Sequence, residues 1–134
     1  MLDHSCIIPE IGFGVYNVGE TVYECVRYAL DAGYRHIDTA AAYGNEAEVG
    51  RAIRESGIPR EELFVATKLW PTAFAKAEEA FLQSLLLLGL DYVDGYLLHW
   101  PGTDAGLRHR AWDTVLQMRD KGLVRCPGVS NFLP

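Results

Sequence analysis

Four polar residues, Asp38, Lys68, His99 and Asn131, each close a short apolar run, and they follow one another at intervals of 30, 31 and 32 residues. That beat constrains the fold more than any other feature of the chain. Between the runs lie stretches with helical periodicity. In "TVYECVRYAL" one face carries Val22, Cys25, Val26, Ala29 and Leu30. Thr21 with Glu24 predicts a capping box, and Gly33 stands where a C-terminal cap belongs. Asn45 opens a second helix with Val49, Ala52 and Ile53 inward, stopped at Gly57. A third is expected over 73–88, stopped by Gly89, and a fourth in "RHRAWDTVLQMRDKG". Strand and helix alternating at this length imply βαβ units, hence a parallel sheet with right-handed crossovers.

Five strands are predicted: near Ile11–Gly14, at "YRHIDTA", at "ELFVATKLW", at "DYVDGYLLHW" and at "LVRCPGVSN". The four polar residues then lie at the carboxyl ends of parallel strands, the end that carries the ligand site in barrels and in open doubly wound sheets. No strand is followed by Gly-x-Gly-x-x-Gly, which removes the main support for a dinucleotide fold of the open kind. The fold class expected is α/β, a parallel (β/α) barrel type. A closed eight-stranded barrel takes about 250 residues, and these 134 supply five of its eight strands.

At 49% hydrophobic and 22% charged, the chain has the composition of a globular domain. Its net charge of −6 argues against a general phosphate-backbone binder, so no nucleic-acid partner is expected. No apolar run approaches a membrane span, and "MLDHSCIIPE" lacks the regions of a signal peptide. Cys6, Cys25 and Cys126 are odd in number and widely spaced. They are expected to be reduced, buried thiols in a cytoplasmic protein. The four histidines, His4, His36, His99 and His109, show no metal-ligand pairing, and no metal is expected.

"HIDTAAAYGNEAEVG" adds Tyr43, in the turn beyond Asp38. A phenol ionises near ~10 and is a reluctant acid at neutral pH. A lysine ammonium beside it favours the phenolate, and a carboxylate can hold that lysine in place. A neutral histidine can donate a hydrogen bond to a substrate oxygen. Asp38, Tyr43, Lys68 and His99 therefore form a coherent general-acid set. Lys68 as the Schiff-base nucleophile of an aldolase is the competing use of the same lysine.

"DAGYRHIDTAAAYGNEAEVGRAI", "REELFVATKLW", "LGLDYVDGYLLHWP" and "GVSNF" resemble the aldo-keto reductases in order and spacing, over nearly the whole chain. The resemblance implies a (β/α)8 barrel that reduces aldehydes and ketones with NADPH. It implies that Tyr43 protonates the carbonyl oxygen, that Lys68 and Asp38 tune it, and that His99 orients the substrate. Asp38, Ser130 and Asn131 match cofactor-binding positions; Tyr16, Trp70 and Trp100, with His99, match the substrate pocket. Residues 1–134 are then the amino-terminal part of such a barrel domain, expected to turn over weakly or not at all without the later strands. A non-catalytic half-barrel that self-associates through its open edges is the alternative. Four departures from the family pattern stand out, one being the helix "AFLQSLLLLGL", whose Leu82, Leu86 and Leu87 fall partly off the inward stripe of Phe81, Leu85 and Leu88. Val15 occupies a common threonine position, Gly95 interrupts a strand and should weaken it, and Pro127 disfavours a central place for the last strand.

Overall fold

A computed structural model describes residues 6–134. His4 and the first residues of the "MLDHSCIIPE" stretch lie outside them. Five parallel strands form one sheet in the order β1-β2-β3-β4-β5, so each neighbours its successor. They are β1 (Phe13–Gly14), β2 (His36–Asp38), β3 (Phe64–Leu69), β4 (Val93–Leu98) and β5 (Val124–Val129). Four helices make the crossovers: α1 (Val22–Asp31), α2 (Glu46–Glu55), α3 (Ala77–Leu88) and α4 (Ala105–Asp120). β1 and β5 are the edges. The strand, helix and stop positions follow the sequence closely. Gly33, Gly57 and Gly89 all have positive φ just past helix ends, where a side chain would be strained.

The core lies between sheet and helices. α1 buries Val22, Val26, Ala29 and Leu30, α2 buries Val49, Ala52 and Ile53, and α3 buries Phe81, Leu85 and Leu88. Leu82, Leu86 and Leu87 are exposed on the outer face of α3, as one inward stripe requires. Val15 is fully buried in this core. α2 and α3 meet at Gly50, where a Cβ would lie 2.6 Å from the Leu88 Cα.

Several expectations need correction. β1 is two residues long, because β2 offers only Ile37 and Asp38 as its partners. Thr21 makes no capping bond; its hydroxyl donates to the Val18 carbonyl across the 3-10 turn that precedes α1. α4 begins at Ala105, earlier than read, with the Asp104 carboxylate accepting from the Leu107 N–H. Gly95 is no packing defect: a Cβ there would stand 3.0 Å from the Ala66 Cβ and 3.3 Å from the Phe64 ring, which already fill the space. The expectation for Pro127 needs none: it sits in β5, at the edge of the described sheet, where a missing N–H is tolerated.

The cysteines differ most. Cys6 and Cys126 are joined by a disulfide, with Cα atoms 5.7 Å apart, and Cys25 is free and only half-buried. A sequence separation of 120 hides the fact that the segment before β1 runs to β5. Among the described residues, no helix is long and apolar enough to cross a membrane.

Candidate active site

Asp38 is the last residue of β2 and Lys68 the penultimate residue of β3. His99 follows β4 directly, and Ser130 and Asn131 follow β5. The register pairs Asp38 with Ala66 and Lys68 with Leu97, which brings these ends to one level. Tyr43 comes from the connection between β2 and α2. There a single 3-10 turn, Ala41–Tyr43, is closed by Gly44 at φ 68°, a conformation glycine adopts without cost.

Lys68 is the hub. Its side chain is 8% exposed, and its ammonium donates to Asp38 Oδ2 at 2.8 Å and to the Thr39 carbonyl at 2.9 Å. Tyr43 Oη is its third partner, at 3.5 Å. The ammonium also lies 5.1 Å from the centre of the Tyr43 ring. An acid, a cation and a phenol thus share one corner, with the phenol on the open side.

His99 packs edge-on against Tyr43, ring centres 5.6 Å apart, and against Trp70, at 5.0 Å. Burial pushes its pKa below the usual imidazole value, and the Lys68 charge pushes the same way, while Asp38 opposes both. The ring is therefore held neutral. Its Nδ1 is buried without a partner among the described residues, so a hydrogen bond from this ring to a ligand has to come from Nε2.

Tyr16, Ala41, Ala42, Tyr43, Trp70, His99, Trp100 and Asn131 line one open cleft of about 900 Å³. Tyr16 stacks at a tilt on Tyr43, 5.2 Å between centres. The Asn131 amide donates to the His99 carbonyl at 2.9 Å and approaches Ser130 Oγ at 3.1 Å. Asn131 adopts φ 60°, one of two non-glycine residues with positive φ among those described. Its side chain is thereby turned back toward the strand end of β4. Every residue picked out from the sequence for acid–base, cofactor or substrate contact lies at this end of the sheet. Asp38, Lys68 and Ser130 are not among the residues that line the cleft itself.

A model of the Aldo/keto reductase family matches residues 10–134. The chain belongs to the aldo/keto reductase family. It is 50% identical over 135 residues to an aldo-keto reductase of Mycolicibacterium vanbaalenii, a match covering 98% of this chain and 48% of that protein. The fold is similar to that of an aldo-keto reductase from a Medee basin deep-sea metagenome library. There the TM-score is 0.91 at 47% identity, covering 96% of this chain and 48% of the other. A Bombyx mori aldo-keto reductase solved in complex with NADP matches with TM-score 0.84 at 40% identity, covering 93% and 47%. This aldo/keto reductase chain spans about half the length of the relatives it matches, and its five strands correspond to part of their barrels.

Four residues at the site were not singled out for it from the sequence: Thr39, Asn45, Glu46 and Thr67. Glu46 is 3% exposed, and burial pushes its carboxyl pKa up against the opposing hydrogen bonds from Thr67 and Ser84. The available signal was adjacency: Thr39 follows Asp38, Thr67 precedes Lys68, and Asn45-Glu46 closes the Tyr43 turn.

Proposed function

We propose that this site belongs to an NADPH-dependent oxidoreductase that reduces small aldehydes or ketones to alcohols. The observation that carries the reading is the Tyr43–Lys68–Asp38 cluster, set beside a neutral His99 on the wall of one aromatic cleft. Tyr43 Oη donates a proton to the carbonyl oxygen as that oxygen gains charge, and the adjacent ammonium stabilises the phenolate left behind. Asp38 and the Thr39 carbonyl fix the ammonium in place. His99 Nε2 donates to the same carbonyl oxygen and orients it. Tyr16, Trp70 and Trp100 exclude water from the apolar part of the substrate.

The cofactor supplies the hydride that reduces the carbonyl carbon. Ser130 and Asn131 would hold its nicotinamide carboxamide, and Asp38 is the third residue we assign to cofactor contact. The donor set fits, since Asn131 is turned toward His99 with its amide oxygen free of any partner among the described residues. The NADP complex of the silkworm relative supports the choice of cofactor. Residues 1–134 are read as the amino-terminal part of a barrel domain whose remaining strands complete the cofactor groove. A cytoplasmic setting is the compartment we infer, and there the Cys6–Cys126 bridge would be open to reduction by the thiol pool.

The test is NADPH oxidation with 4-nitrobenzaldehyde, by the whole protein that the reading frame encodes, with the alcohol identified as product. Alcohol formation at the rate of the protein-free blank would refute the reading.

A further inference from the structure

Tyr43 stands on a loop, while its partners Lys68 and Asp38 stand on strands. Something has to hold the loop to the strands. The two residues after Gly44 do this in a consistent way. Asn45 accepts from Thr39 Oγ1 at 2.7 Å through Oδ1, and its Nδ2 donates to the Val15 carbonyl at 3.1 Å. Glu46 accepts from Thr67 Oγ1 at 2.6 Å through Oε2 and from Ser84 Oγ at 3.1 Å through Oε1.

The threonines are the residues next to the site. Thr39 is joined to Asp38, and Thr67 is joined to Lys68. Because side chains alternate across a strand, Thr67 turns toward the helices while Lys68 turns toward the site. Both threonines are fully buried. Asn45 occupies the N-cap position of α2 but makes no capping bond with its side chain. A residue type that ordinarily serves the helix end is committed here to a strand end instead. Glu46 is a nearly buried carboxylate in the first turn, where an exposed one would serve the helix dipole as well. Each of the two residues closes a ring: Tyr43 to Glu46 to Thr67 to Lys68 and back, and Tyr43 to Asn45 to Thr39 to Asp38, returning to Tyr43 through the Lys68 ammonium.

We propose that Asn45 and Glu46 are positioning residues, each pinning the Tyr43 loop to one of the two strands that carry Asp38 and Lys68. They act through Tyr43 and touch neither substrate nor cofactor. The role of Tyr43 in turnover rests on the proposed function, but its placement does not.

The test labels tyrosine Cζ with 13C and assigns Tyr43 through Tyr43→Phe. Spectra are taken of Thr39→Val and Thr67→Val, which keep the shape and delete the hydroxyl, and of Thr39→Ser and Thr67→Ser, which keep it. The Tyr43 resonance is expected to shift in both valine variants and to hold in both serine variants. Tyr23, Tyr28, Tyr34 and Tyr92, remote from the loop, hold in all four. Asn45→Ala, at a half-buried position, shifts Tyr43 in the same way and serves if a buried valine prevents folding. An unmoved Tyr43 in Asn45→Ala, or equal shifts in the serine and valine variants, would overturn the proposal. In the whole protein, kcat falls about tenfold in each valine variant with KM unchanged, and serine restores it. Resonance shifts as expected without any carbonyl turnover would sink the reductase reading and leave the positioning role standing.

Discussion

Lys68→Met removes the ammonium at the hub of the site while keeping the length of the side chain. Three effects compete. Methionine spares the folded state the desolvation of an ammonium, worth several kcal/mol in a fully dry interior and less here at the rim of a cleft. Against this, the Thr39 carbonyl loses its 2.9 Å donor, a loss of about 1–3 kcal/mol for a buried acceptor. Asp38 also loses its cation at 2.8 Å, but at 33% exposure water replaces part of that interaction. That leaves about 1 kcal/mol for the pair itself. A fully buried pair broken on one side loses about 3–5 kcal/mol, so a half-open one should lose about 2. With a urea m-value of about 2 kcal/mol/M, the unfolding midpoint falls by about 1 M. The assay is urea titration followed by circular dichroism, on Lys68→Met, Asp38→Asn and the double variant. The double variant recovers part of the loss, since neither charge is then stranded. A midpoint at or above that of the wild type would refute the reasoning, as would single-variant losses that add within about 0.5 kcal/mol.

Gly50→Ala gains about 1 kcal/mol of helix propensity in α2. It also drives a Cβ into the Leu88 backbone, where overpacking costs about 1–3 kcal/mol; thermal unfolding should show a lower midpoint, and a raised one would mean the two helices are not in this close approach. Burial holds His36 and His99 below the ordinary imidazole pKa. Below about pH 6.5 the unfolded chain therefore takes up protons first, and the stability tied to the neutral rings is lost as pH falls through their folded values. Urea midpoints should decline from about pH 7 to 5.5, less steeply in His36→Asn. The raised pKa of Glu46 works in the opposite sense, giving up its contribution as pH rises through the folded value. Reducing the Cys6–Cys126 bridge frees a separation of 120 residues, which the chain-entropy model values at about 4–5 kcal/mol. Dithiothreitol should lower the urea midpoint of the wild type and leave that of Cys6→Ser unchanged; an insensitive wild type would contradict the cross-link.

The strand ends were legible in the sequence because two independent signals coincide there. Apolar runs mark β3 and β4, and each stops at a polar residue that the parallel register then lines up with its neighbours. Tyr43 was legible only in company with Lys68, His99 and the family pattern, since nothing in "AAAYGN" alone distinguishes a site residue from a packed aromatic. What escaped were effects of the third dimension. Thr21 and Asn45 have the local pattern of helix caps, yet other partners claim both side chains: the Val18 carbonyl in the adjoining 3-10 turn for one, and Thr39 with the distant Val15 carbonyl for the other. Gly95 read as a weakness until Phe64 and Ala66 were seen to occupy its space. Cys6 and Cys126 lie too far apart in sequence for any spacing rule to pair them.

In the proposed reduction Tyr43 delivers the proton while hydride reaches the carbonyl carbon. The direct measurement uses the whole protein with [4-2H]NADPH of either face and an aromatic aldehyde, and follows deuterium in the alcohol by mass spectrometry. The account predicts one deuterium on the carbinol carbon from one face of the cofactor. It also predicts a fall in kcat of about 100-fold or more in Tyr43→Phe, the lower range for loss of a general acid. Deuterium-free alcohol from both labelled forms, or Tyr43→Phe at the rate of the wild type, would contradict it.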